Sequence, residues 1–363
     1  MSHAAANLAP VRLGLIGAGG IVTSRHLPGL SILPGVTFHS VCNRTLDSGQ
    51  RVAQQWNIAQ VADDWRRILD DPQVDAVLVG TWPYMHRAMS VAALEAGKHV
   101  FCQARLAANL ADAQAMAAAA AAHPRLVNLV CPPPHRMPYE PFIRKLLADG
   151  ALGQLQHAHL DVRNGSALGA LSWREQTQFS GIHIMQVGIW AETLHAWLGP
   201  VRTLTAALDS PITSKAGQSV DIPQIVTLHN TLATGLPVTE LHSGVARGDN
   251  TNLLTLYGSA ATLRIPIEGG HHGALQWSSA GQTYEALEVP AALRNPWRVE
   301  AEFIHAVRTA MAGGAWEKAQ LPAAPDAVAV RTSPTFAQAL PYMHKMHAIH
   351  HSARTGSAVA VEG

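Results

Sequence analysis

A chain of 363 residues has room for two domains of ordinary size, each with its own core. Its 26 basic and 25 acidic residues leave a formal net charge of +1, and charged residues make up only 14%, so no basic stripe exists to neutralise nucleic-acid phosphates. No apolar run reaches the roughly 18 residues of a membrane span, and residues 1–10 lack a secretory signal; a soluble cytoplasmic protein acting on a small molecule, without nucleic acid or membrane, is expected.

A short apolar strand over 11–16 runs into Gly17-Ala18-Gly19-Gly20-Ile21-Val22, and helix-compatible sequence follows as far as Pro28. A second strand over 36–42 ends in Asn43-Arg44-Thr45 and precedes a helix over 46–56. Next come a short polar helix over 63–69, a buried strand over 76–80 and a helix over 85–96 that stops at Gly97. A strand over 98–102, an alanine-rich helix over 107–122 and a strand over 126–131 complete the series. Alternation of this kind predicts an α/β domain with a doubly wound parallel sheet over residues 1–130. Cys42, Cys102 and Cys131 have neither disulfide nor zinc spacing and read as small core residues.

After Pro132-Pro133-Pro134 the grammar changes. A helix over 139–147 precedes strands over 156–162, 201–208, 224–232, 238–245 and 253–266, with helices over 182–198 and 299–312 covering them. This predicts an α+β second domain over 131–363 with a large, mainly antiparallel open sheet. A last helix over 336–351 is expected to pack back toward the first domain.

Gly17 and Gly19 sit between strand and helix, where a tight glycine turn lets backbone N–H groups meet a pyrophosphate at the helix N-terminus. Val22 stands where such fingerprints usually place a third glycine. The second strand ends in Asn43 and Arg44 rather than the carboxylate that holds a ribose 2′-hydroxyl, which favours NADP and leaves NAD as the alternative.

At this point the chain resembles the glucose–fructose oxidoreductase, inositol dehydrogenase and rhizopine-catabolism (Gfo/Idh/MocA) family over nearly its whole length. The resemblance rests on Gly17 to Ile21, on Thr81 with His86, on Ala93-Leu94-Glu95-Ala96-Gly97-Lys98-His99-Val100, and on Leu147-Ala148-Asp149-Gly150-Ala151-Leu152-Gly153. Leu256-Tyr257-Gly258-Ser259 and Ser352-Ala353-Arg354-Thr355-Gly356 add to it. It implies a Rossmann domain with cofactor contacts at Gly17, Gly19, Gly20, Ile21, Asn43, Arg44, Thr81, His86 and Gln103, and a homodimer or homotetramer formed through the second sheet. It also implies hydride transfer at a hydroxyl carbon of a sugar, cyclitol or related ring.

Two family signatures are altered. Gln103-Ala104-Arg105 replaces Glu-Lys-Pro, and Gln186-Val187-Gly188-Ile189-Trp190 replaces Asp-x-Gly-x-His, so the usual lysine, aspartate and histidine are absent. Either the activity is lost or other residues carry it. On a helix beginning near Gly181, His183 would share a face with Gln186 and Trp190 and serve as the general base, and Arg105 is a further catalytic candidate. Arg163, Arg174 and Arg105 suggest an anionic substrate group, and Trp82, Tyr84 and Trp173 offer flat faces for a ring. Glu192 and His195 read as a helix-surface pair, and the histidines of the last helix lack an acidic or thiolate partner, so no metal is expected. The alternatives to a dehydrogenase are a redox-neutral lyase or glycosidase that uses its cofactor transiently, and a non-catalytic NAD(P)-binding sensor.

Overall fold

The computed structural model describes residues 9–136, 138–269, 271–279, 283–321 and 332–362. The chain divides into two compact units, one of Met1–Pro132, Arg298–Pro322 and Arg331–Ala339, the other of Pro133–Trp297, Ala323–Val330 and Leu340–Gly363.

The first unit is built on a parallel sheet of β1 (Val11–Ile16), β2 (Val36–Cys42), β3 (Gln60–Val61), β4 (Ala76–Val79), β5 (His99–Cys102) and β6 (Asn128–Val130), in the order β3-β2-β1-β4-β5-β6. The central strands are buried on both faces, which is why they read as unbroken apolar runs. The helix after β1 does not stop at Pro28. Val22–His26 form a π-turn, in which the Leu27 N–H bonds the Val22 carbonyl, and α1 (Leu27–Ser31) carries Pro28 at its start. The wider turn accommodates a ring that has no N–H to donate. Thr45 caps α2 (Leu46–Trp56) by accepting the Ser48 N–H. Then follow α3 (Arg66–Asp70), α4 (Pro83–Glu95) and α5 (Leu110–Ala122); the last starts three residues later than its alanines suggest because Asn109, extended, takes the Asp112 N–H at 2.9 Å. The helix Val299–Met311, expected over the second sheet, packs instead on α1 and β1. Phe336 also belongs to this unit, its N–H held by Asn128 at 3.2 Å.

The second unit holds a ten-stranded sheet. Along it run β7 (Leu155–Arg163), β8 (Val201–Asp209), β9 (Ile225–Leu232), β10 (Pro237–Ser243), β11 (Thr251–Gly258), β12 (Ala261–Glu268), β13 (Leu275–Ser279), β14 (Glu285–Leu287) and β15 (Val359–Ala360). Their order is β14-β13-β12-β11-β7-β10-β9-β8-β15, with a short strand His271–His272 beside β12. All pairs are antiparallel except β7 with β10. The single strand expected over 253–266 is a hairpin, β11 and β12, turned at Ser259 and Ala260; Gly258 allows it, since a Cβ there would lie 2.0 Å from the Leu152 carbonyl oxygen. Alternating strands bury one face against α6 (Glu140–Ala148), α7 (Val187–Leu198) and the helix Leu340–Thr355. That last helix starts four residues later than expected and packs on β8 and α7 within its own unit.

Beneath this helix lies a buried charge group. Lys345 Nζ pairs with Glu240 Oε1, Asn230 donates to the same oxygen at 2.8 Å, and His242 Nε2 lies 3.1 Å from Oε2. Burial alone would raise the Glu240 pKa, but the Lys345 charge and the His242 contact outweigh it and hold it at about 2. The folded value lies below the unfolded one, so this contribution to stability is complete above about pH 4.5 and disappears as the pH falls toward 2. Glu240→Gln should cost about 3–5 kcal/mol by leaving Lys345 buried without a counter-charge, a loss read directly by urea unfolding.

Candidate functional site

In the first unit a cavity of about 920 Å³ opens over the turn that joins β1 to its helix. Gly17, Gly19, Gly20 and Thr23 line it on one side, Asn43, Arg44, Thr45, Ser48 and Arg51 along the end of β2 and the start of α2, and Thr81, Trp82, Tyr84 and Met85 after β4. The glycines divide the work. Gly17 has φ +85°, and a Cβ on it would sit 2.8 Å from the Thr81 nitrogen, so this residue makes the turn. At Gly19 and Gly20 a Cβ would meet nothing within 4 Å, so these two leave the space above the turn open. That open cradle at a helix start fits a dinucleotide pyrophosphate. Val22 is accommodated by a glycine the sequence reading passed over: a Cβ on Gly80 would lie 2.3 Å from Val22 Cγ2.

Several expected cofactor contacts have other employment. The Asn43 carboxamide accepts the Ala18 N–H at 2.7 Å and so staples the glycine turn. Ile21 is half exposed and lies off the cavity lining. His86 is fully buried, with Nδ1 2.7 Å from the Arg105 carbonyl oxygen and Nε2 3.0 Å from that of Thr81; burial pushes its pKa down. It meets the backbone of Thr81, a residue of the cavity lining. Gln103 is buried too, its oxygen on the Ala104 N–H at 2.7 Å and its nitrogen 3.0 Å from His26 Nε2. Trp82 and Tyr84, expected to face substrate, line the dinucleotide cavity, and the Arg44 guanidinium lies 5.6 Å from the Trp82 ring centre. Asp64 and Asp63 line the same cavity and are paired with Arg66 and Arg67, whereas Arg44 and Arg51 make no ion pair among the described residues.

In the second unit, Gln186 is the N-cap of α7 and forms part of a neutral polar cluster. Its Oε1 receives Asn252 Nδ2 at 3.3 Å and faces His135 Nε2 at 3.4 Å, while Asn252 Oδ1 accepts the Trp190 indole N–H at 3.0 Å. The His135 and Trp190 rings are 5.1 Å apart. Trp190 has no exposed surface and belongs to the core, so it anchors the cluster instead of facing a ligand. His135 and Asn252 were missed by the sequence reading. His135 follows three prolines with no helical period, and Asn252 lies 66 residues from the glutamine it meets.

The helix expected from residue 182 begins at Val187, because Gly181 (φ +66°) and Met185 (φ +42°) break it. His183 therefore does not lie one turn below Gln186. It is fully buried, its Nδ1 3.7 Å from where a Gly188 Cβ would stand and its ring 6.5 Å from Tyr342. Of the arginines, Arg163 is closed to an anion. Arg163 is gripped by Asp161 at 2.8 Å and 3.0 Å and by Asp249 at 2.6 Å; Arg174 stacks 4.5 Å from the Trp173 ring centre; Arg105, in the first unit, gives its carbonyl to His86. Glu192 is not a surface residue. Burial raises its pKa to about 7 against the pull of Arg136, 3.8 Å away. Among the described residues no three His, Cys, Asp or Glu side chains are grouped to hold a metal, and no helix is long and apolar enough to cross a membrane.

A family model described as "Oxidoreductase family, NAD-binding Rossmann fold" matches residues 11–129, and the GFO/IDH/MocA C-terminal domain model matches residues 142–264. Levoglucosan dehydrogenase of Pseudarthrobacter phenanthrenivorans is 26% identical over 182 residues, 47% of this chain and 46% of its own. Inositol 2-dehydrogenase of Acidothermus cellulolyticus is 31% identical over 180 residues, 50% and 53% of the two chains. The chain thus spans about half the length of these relatives. A solved structure of levoglucosan dehydrogenase in complex with NADH and levoglucosan is similar with a TM-score of 0.81 at 21% identity, covering 98% of this chain and 100% of that one. An oxidoreductase domain protein from Kribbella flavida gives a TM-score of 0.82 at 20% identity, with the same coverage.

Proposed function

The chain belongs to the GFO/IDH/MocA family of NAD-binding oxidoreductases, and from that premise we propose that it is an NADP-dependent dehydrogenase oxidising a hydroxyl-bearing carbon of a neutral sugar or cyclitol. The observation that carries this reading is the open glycine cradle together with Arg44 and Arg51, which make no ion pair among the described residues, along the end of β2 and the start of α2. Arg44 and Arg51, with the hydroxyls of Thr45 and Ser48 on the same lining, suit a ribose 2′-phosphate, and the two carboxylates of that lining, Asp63 and Asp64, are already paired with Arg67 and Arg66. Arg44→Ala should therefore weaken NADP binding by about tenfold or more and leave NAD binding nearly unchanged. Titration of both cofactors decides this; an unchanged ratio of the two affinities would refute it.

The nicotinamide, when bound, supplies the hydride acceptor. What the second unit contributes is hydrogen bonding and one titratable ring. Gln186 Nε2 carries two N–H donors that bond nothing among the described residues, and Asn252 Nδ2 has a second; these orient a substrate hydroxyl oxygen. His135, whose Nε2 faces Gln186 Oε1, is the one member with an ionisable ring, and we assign it the hydroxyl proton. Two carboxamides and an imidazole favour an uncharged polyol, and Asp161 and Asp249 already occupy Arg163. The reading is tested by following reduced nicotinamide with NADP and a panel of pyranoses, cyclitols and uronic acids: turnover is expected with neutral members, and turnover confined to the acids would contradict the substrate class.

A further inference from the structure

The six-stranded sheet has two mononucleotide halves, and the nicotinamide half belongs to the C-terminal ends of β4 and β5. The turn after β5, residues 103–106, lies there, and two buried imidazoles from different helices hold it. His86 of α4 faces the carbonyl oxygens of Arg105 at 2.7 Å and Leu106 at 3.2 Å. His26, the last residue of the π-turn, reaches the same turn through Gln103. Both histidines are 0% exposed.

The hydrogen bonds around His26 have a single consistent polarity. The Ala104 N–H donates to Gln103 Oε1 at 2.7 Å, which turns the Gln103 NH₂ toward the ring. That NH₂ donates to His26 Nε2 at 3.0 Å, so this nitrogen bears the lone pair. The proton is then on Nδ1, which donates to Glu300 Oε1 at 2.6 Å. The surroundings are shaped for this chain. Gly29 leaves room for the carboxylate, since a Cβ there would lie 3.0 Å from Glu300 Oε2, and the edge of Phe101 packs on the ring at 5.4 Å. Without the π-turn, His26 would fall on a different face of its helix.

We propose that Glu300 and His26 are positioning residues for the nicotinamide half of the site: Glu300 sets the His26 tautomer, His26 orients Gln103, and Gln103 fixes the turn against which the nicotinamide rests. This rests on the dinucleotide reading above, and it assigns a role to residues that touch no cofactor themselves. An amide on one side and a carboxylate on the other suit a neutral imidazole, whereas a glutamate would require the doubly protonated ring.

The test compares the whole dinucleotide that the protein binds more tightly, NADP or NAD, with its adenosine half alone, 2′,5′-ADP or AMP. His26→Phe keeps the packing on Phe101 but removes both ring nitrogens. It should lower whole-dinucleotide affinity by about tenfold and leave the adenosine fragment within about twofold of wild type. Gln103→Glu, which a doubly protonated His26 can still bridge, should stay within about threefold of wild type for both ligands. An unchanged whole-dinucleotide affinity in His26→Phe, a parallel loss of both ligands, or a Gln103→Glu variant as weak as His26→Phe would each overturn the positioning role. A wild-type protein that binds the dinucleotide no more tightly than its adenosine half would instead overturn the reading on which the inference rests, and the inference with it.

Discussion

Gly19→Leu is expected to abolish dinucleotide binding while leaving the fold intact. The two effects separate because Gly19 has no positive φ and a Cβ there meets nothing within 4 Å, so the leucine side chain enters the space the pyrophosphate requires and disturbs no packed neighbour. Loss of the close backbone approach and of the donors at the helix start should raise the dissociation constant by at least about a hundredfold. Gly17→Val forms the contrast. With φ +85° and a Cβ 2.8 Å from the Thr81 nitrogen, it should lose binding and also about 2–4 kcal/mol of stability. Thermal unfolding and cofactor titration on both variants check the pair. Retained affinity in Gly19→Leu would remove the cradle from the account.

His135→Asn is expected to lower kcat by about 10²–10⁴-fold with cofactor affinity unchanged. The imidazole is the one member of the cluster with Gln186 and Asn252 that can accept a proton, and asparagine keeps hydrogen-bonding capacity without that ability. His183→Asn serves as the comparison. Fully buried beside Gly188 and Tyr342, His183 should cost stability on replacement and leave kcat within a few-fold. Steady-state kinetics on the two variants distinguishes them, and a large fall in kcat confined to His183→Asn would reverse the assignment.

The different standing of these two histidines shows what the sequence could disclose. Strands and helices set by local pattern were legible: β1, β2 and α2 have the bounds their sequence spacing predicts. The start of α7 was not, because the apolar period runs back through residue 182 while Gly181 and Met185 adopt left-handed backbone that ends it. The dinucleotide turn was readable since its function is carried by consecutive residues. The polar cluster in the second unit was not, because it depends on distant partners. Arg163 looks like an anion site until Asp249, 86 residues on, neutralises it, and His26 has no visible role without Glu300, 274 residues away. Arg51 carried a usable signal: with Thr45 and Ser48 it recurs at three-residue spacing along the first turns of α2, toward Arg44.

The central claim is that a hydride passes from a neutral polyol to the nicotinamide. The most direct measurement incubates the wild-type protein and its preferred oxidised dinucleotide with perdeuterated hexoses and inositols, then examines the dinucleotide by mass spectrometry. The account predicts reduced nicotinamide carrying one deuterium from at least one neutral substrate. Formation of no reduced dinucleotide with any of them, or release of deuterium to solvent with the cofactor left oxidised, would contradict it.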